Sequence, residues 1–222
     1  MSASVVDVRF DWSSLDCIGC ISDYGFCAVG HVRSELSEQA HTLATSLLGD
    51  LPNRLSHSLA VGSAAAALAL NRGGSLKFVD ICRAVGILHD VGYSERVPTA
   101  GVVRQHAFDG AAWMRALDFP EDVVRHVAYH STSRWECNRM GLDLSIFGTP
   151  PEDTLADILW VADFTTDALG HPISIDGRLA DIRVRHASNL AIIGALDDAT
   201  ATLKRTINRL GVHNPLDATR AS

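Results

Sequence analysis

The segment RAVGILHDVGYSERV, residues 83–97, sets His89 and Asp90 at the end of an apolar run, just ahead of Gly92. An imidazole nitrogen beside a carboxylate oxygen can shuttle a proton or hold a metal ion. One pair does not choose between these, so partners elsewhere in the chain decide. His57 lies in HSLAVGS, His106 opens HAFDGAAWM, His130 sits in VAYHST, and Asp163 lies in LADILWVADFTTDALG. Each imidazole or carboxylate falls in or beside a stretch with helical apolar spacing.

The elements that must carry these residues read as helices over 34–48, 53–72, 75–90, 105–117, 120–131, 152–168, 176–188 and 190–210. Pro120-Glu121-Asp122 and Pro151-Glu152-Asp153 place Pro and acids where a helix begins. Gly73 and Gly211 follow helical runs, as C-terminal caps do. An ideal helix advances about 100° per residue, so positions i, i+4 and i+7 share a face. One face then holds His57, Val61, Ala64 and Leu68; the next holds Phe78, Ile81, Cys82, Val85 and His89. A third holds His106, Gly110, Trp113 and Leu117; a fourth holds Val123 and Val127 with His130 at its edge and His126 further round. A fifth holds Ala156, Leu159, Trp160 and Asp163. Imidazoles and carboxylates converging in a core repel or stay unsatisfied unless a cation lies between them. Mixed N/O donors of this kind suit Fe, Mn, Co, Ni or Zn, as one ion or two. The stretch 132–150 reads as a long loop of the sort that often carries function.

Composition limits the alternatives. With 222 residues and 47% hydrophobic content the chain can bury a substantial core. A net charge of −7 argues against a nucleic-acid partner, though not against a small phosphorylated one. The longest apolar run, LAVGSAAAALAL, is too short to span a bilayer. No basic leader with an apolar stretch opens the sequence, so a cytoplasmic protein with no membrane partner is expected. Its five cysteines are then expected to be thiols. Cys17, Cys20, Cys27 and His31 offer soft ligands within a short span, but without the paired-knuckle spacing of a structural zinc site. They fall in an irregular N-terminal arm, 1–33, ahead of an all-α domain over 34–222.

In order, His57, His89-Asp90, His106, His130 and Asp163 resemble the H…HD…H…H…D pattern of the HD-domain superfamily, over about residues 53 to 170. The HAFDGAA element is similar to the H-P-x-x-G-A element of its dinuclear branch, with Gly110 permitting close helix approach. The resemblance implies an all-α HD-domain helical bundle and a metal-dependent phosphohydrolase acting on a small phosphorylated molecule, a nucleotide being the first choice. It implies that His57, His89, Asp90 and Asp163 hold one ion while His106 and His130 hold a second, with Asp90 bridging. Such ions lower the pKa of a bound water and polarise a phosphoryl oxygen. Asp90 is the expected catalytic carboxylate and Asp109 a candidate acid or base. Arg96, Arg104 and Arg134 are candidate phosphate contacts, Trp135 a candidate platform for a base, and Arg178 and Arg185 candidates for the mouth of the site. Tyr129 stands where many dinuclear relatives carry a histidine, and Tyr93 where a lysine is common after the motif. HD-type di-iron oxygenases resemble the chain in the same donor set, and a non-catalytic nucleotide-binding module is the third reading.

Overall fold

The computed structural model describes residues 35–211, so the arm over 1–33, with Cys17, Cys20, Cys27 and His31, lies outside the described residues. Among the described residues the chain forms nine α-helices and no strand. They are α1 (Glu35–Leu48), α2 (Pro52–Asn71), α3 (Leu76–Leu88), α4 (His106–Ala116), α5 (Glu121–Ala128), α6 (Ser133–Arg139), α7 (Thr154–Phe164), α8 (Ile175–Arg185) and α9 (Leu190–Leu210). Local chemistry starts most of them. Ser75, Gln105, Asp153, Ser174 and Asn189 each accept a backbone amide from the first turn of the helix they precede. Gly211 closes α9 in the left-handed conformation, φ 60°.

Helices α1 to α3 pack together, and α7 closes over α2 and α3. The packing of α2 on α3 is close enough that a Cβ on Gly86 would stand 2.8 Å from the Cα of Gly62. A second close approach sets the turn after α3 against α4. A Cβ on Gly92 would lie 1.9 Å from the backbone oxygen of His106, and one on Gly110 3.1 Å from the nitrogen of Gly92. The large apolar core runs through α1–α5 and α7. A smaller one joins Trp160 and Phe164 of α7 to α8 and α9.

Three sequence expectations change. The stretch 132–150 is not a bare loop: it holds α6 and a 3₁₀ turn over Leu144–Phe147. Thr132, just ahead of α6, donates its hydroxyl to the Glu136 carboxylate, and Cys137 anchors the helix in the core. Helix α5 ends at Ala128, so His130 is set by a turn rather than by a helix face. Helix α7 ends at Phe164, where Thr165 and Thr166 turn their hydroxyls back onto the carbonyls of Val161 and Ala162. No helix among the described residues is long and apolar enough to cross a membrane.

Candidate metal centre

Helix ends deliver the key side chains to one place. His57 lies one turn into α2, His89 caps the C-terminus of α3, and Asp90 begins the following turn. His106 is the first residue of α4 and Asp163 sits in the last turn of α7. Three of the imidazoles turn Nδ1 to a backbone carbonyl: His57 to Asp167 at 2.8 Å, His89 to Gly86 at 2.6 Å, and His130 to Val127 at 2.6 Å. A carbonyl only accepts, so each Nδ1 carries a hydrogen, and Nε2 is the atom left to face an ion or a proton.

Those nitrogens converge on carboxylate oxygens. Asp90 Oδ2 lies 3.3 Å from His89 Nε2 and 3.8 Å from His57 Nε2. Asp90 Oδ1 lies 3.4 Å from His106 Nε2 and 3.5 Å from His130 Nε2. His57 Nε2 is 3.1 Å from Asp163 Oδ1, and the Nε2 atoms of His106 and His130 face each other at 3.2 Å. At these distances a proton or a metal ion must lie between the nitrogens and the oxygens they face. His89 Nε2 is buried with no hydrogen-bond partner. Donor atoms of His57, His89 and Asp163 lie within 4.8 Å of one another, as do those of His89, Asp90 and His130. This donor set fits a divalent transition ion. Asp90 is the common member: one oxygen faces His57 and His89, the other faces His106 and His130.

Burial pushes the Asp90 carboxyl up, but the charges of His89 and Arg54 outweigh it and hold it well below the usual carboxylate range. Asp163 behaves alike, with burial opposed by His57 above all. Burial drives His106 down to about 3, only partly opposed by Asp90. Arg54 joins from α2: its Nη1 stands 2.6 Å from Asp90 Oδ2 and its guanidinium lies 3.9 Å over the ring of Tyr93. Tyr93 in turn stacks on His106, with ring centroids 4.2 Å apart.

The family model for the HD domain matches residues 54–165, a span that runs from Arg54 past Asp163. The chain belongs to the HD domain family. That family is one of metal-dependent hydrolases which bind divalent metals, and the clustered His and Asp side chains here are of the kind that could hold one. Searches of curated proteins and of solved structures gave no match.

The HD domain thus brings His57, His89, Asp90, His106, His130 and Asp163 together, while the other expected residues scatter. Asp109 is fully buried, but its oxygens accept the backbone amides of Ala100 at 2.8 Å and Gln105 at 3.0 Å. It ties down the chain leading into α4. Arg96 reaches away to Ser46 O and Asp50 at the end of α1. Arg104 clamps the carbonyls of Gly92, Ser94 and Val97, so its donors are spent on the turn after the HD motif. Arg134 is exposed beside Trp135 and lines a cavity of about 360 Å³ that also has His130 in its wall. Arg185 pairs with Asp181, whereas Arg178 does approach Asp163. Tyr129 turns its hydroxyl between the carbonyls of Leu144 and Gly148, and His126 binds Asp153 and the carbonyl of Asp122. On α4 the buried side is Ala107, Ala111 and Met114; Leu117 is exposed and Trp113 half-buried, so His106 enters the core through its place at the helix start. The cysteines within the described residues, Cys82 and Cys137, are buried free thiols pushed up to about 12 by burial. Arg54 was missed, although it precedes His57 by three residues and so shares its helix face.

Proposed function

We propose that this HD domain hydrolyses a phosphoric ester or anhydride bond in a small molecule, with nucleotides the foremost substrate class. The observation carrying the reading is the position of Asp90, shared by two sets of imidazole nitrogens and touched by the guanidinium of Arg54. A cation-ready donor set and a phosphate-ready cation meet at one carboxylate. His57, His89, Asp90 and Asp163 would hold one ion, and His106 and His130 with Asp90 a second. A divalent ion there would supply a water of lowered pKa and would polarise a phosphoryl oxygen. The protein's own groups do the rest. Arg54, braced on Tyr93, offers N–H donors to a phosphoryl oxygen, and charge-assisted bonds of this type orient phosphate well. The backbone carbonyls of Gly86, Val127 and Asp167 fix the imidazole tautomers, so the site needs no rearrangement to present its lone pairs. Asp90, held ionised, would keep its negative charge between the two ions.

The test is phosphate release from a panel of phosphomonoesters, phosphodiesters and pyrophosphates with Mn, Co, Fe or Ni added, run with and without oxygen. Anaerobic turnover with product oxygen drawn from water is expected. Turnover only with O₂ and reduced iron, and none of the panel cleaved anaerobically, would replace this reading by the di-iron oxygenase one.

A further inference from the structure

Helix α8 lies beyond the span matched to the family, residues 54–165. Its Ile175, Leu179 and Ile182 pack against the small core built on Trp160, Phe164, Leu196 and Leu203. That seam fixes the rotation of the helix and turns Arg178 inward, where it is 6% exposed. A guanidinium has five N–H donors, and a buried one is costly unless they find acceptors. Here Nη1 reaches Asp181 Oδ2 at 3.2 Å, an oxygen that Arg185 also shares. Nε has no partner at all. Nη2 stands 3.7 Å from Asp163 Oδ1, too far for a hydrogen bond, and that oxygen already faces His57. Nη2 therefore lies beside the metal-candidate cluster without a protein acceptor in hydrogen-bond reach, and Nε is unspent as well.

We propose that Arg178 is a substrate-binding residue which receives phosphoryl oxygen beside Asp163, as Arg54 does beside Asp90, so that the centre takes a terminal phosphate group in preference to a diester. The inference rests on the phosphohydrolase reading and names its substrate end. The two arginines are anchored at different carboxylates, and both carboxylates approach His57, at 3.8 Å and 3.1 Å. Each guanidinium can hold one oxygen, and a third oxygen then remains for the ion. A terminal phosphate has three free oxygens. A diester has two and must forfeit one of these contacts. Helix α8 is then the part of this chain that sets which phosphate is accepted.

The experiment is calorimetric titration of the full-length, manganese-loaded protein with inorganic phosphate and with dimethyl phosphate, together with manganese stoichiometry. Phosphate should bind more tightly than dimethyl phosphate. Arg178→Gln should weaken phosphate about tenfold or more, the scale of a lost charged hydrogen bond, and weaken dimethyl phosphate much less. Manganese content should not change. Arg178→Lys should recover part of the affinity, since an ammonium meets one oxygen but cannot fork. Equal phosphate affinity in the parent and Arg178→Gln overturns the proposal. So does loss of manganese in Arg178→Gln to the extent seen in Asp163→Ala, because Arg178 would then merely orient Asp163. Should Arg178→Gln fail to fold, Arg178→Lys decides: phosphate must weaken about threefold or more at full manganese content. Binding is read without turnover. A protein that holds phosphate through Arg178 yet hydrolyses nothing loses the hydrolase reading alone, and one that hydrolyses with phosphate binding indifferent to Arg178 loses this inference alone.

Discussion

At the scale of single residues, the centre is defined by which atoms carry hydrogens. Nδ1 donation from His57, His89 and His130 to carbonyls leaves Nε2 free, and Asp90 receives imidazoles on both oxygens. Removing His89 or Asp90 should therefore strip bound metal. Protein purified without chelator is expected to hold one to two transition ions per chain by elemental analysis, and His89→Ala or Asp90→Ala to hold fewer than half as many. His126→Ala should keep the parent content, because its Nε2 is already engaged by Asp153. An equal loss in the His126 variant would mean that the cluster is drawn wrongly. Arg54 gives a separate prediction. Arg54→Ala removes a charge that touches Asp90 and would meet substrate, so KM should rise about tenfold or more, with a smaller change in kcat. Steady-state kinetics on the best substrate of the panel reads this, and a variant that loses kcat alone with KM unchanged contradicts it.

At the scale of elements, two contacts position the centre, and each can be broken singly. Gly92 lies against the start of α4, where a methyl group would collide with the backbone oxygen of His106 at 1.9 Å. Gly92→Ala should destabilise the fold by about 2 kcal/mol or more, as overpacking does, and should also lower metal content because His106 is what moves. Thermal melts and elemental analysis check both, and unchanged metal content would count against it. Asp109 holds the chain before α4 through two backbone amides. Asp109→Asn sets a donor against a donor, and a loss of about 1–3 kcal/mol in denaturant unfolding is expected. These elements also show what could be read from residue order. His57, His89 and Asp163 follow helical periodicity, so their convergence was readable before any coordinates. His130 falls at the edge of an expected helix face, but α5 stops at Ala128 and a turn carries it inward. Helix α6 has no apolar stripe to announce it, because polar residues outnumber apolar ones across it. The arginines were the least readable. Arg96 and Arg104 are consumed by backbone carbonyls of distant or turning segments, and no local pattern announces such acceptors. Arg54 and Arg178 differ from them only in what tertiary packing leaves beside them.

At the scale of the whole molecule, α2, α3, α4, α7 and the turn after α5 contribute donors to one buried cluster, so ion binding and stability are a single equilibrium. An ion that binds the folded chain and not the unfolded one raises the melting temperature by mass action. Protons compete for the same lone pairs, so the effect must fade with acid. The sign for the metal-free chain follows from His106. Burial lowers its pKa from 6.5 to about 3 in the folded state. Between those values the unfolded chain binds more protons than the folded one, so unfolding becomes easier as pH falls through that window. Asp90 and Asp163 are held below the ordinary carboxylate range, and their contribution is lost only at lower pH, as it falls through their folded values. Melts with excess Mn²⁺ and with chelator should therefore differ clearly near neutrality and draw together by about pH 5, both curves descending as acid is added. A manganese-dependent gain of equal size at pH 5 and pH 7.5 would show that the stabilising ion does not sit among these imidazoles, and would move the search for it to the surface carboxylates.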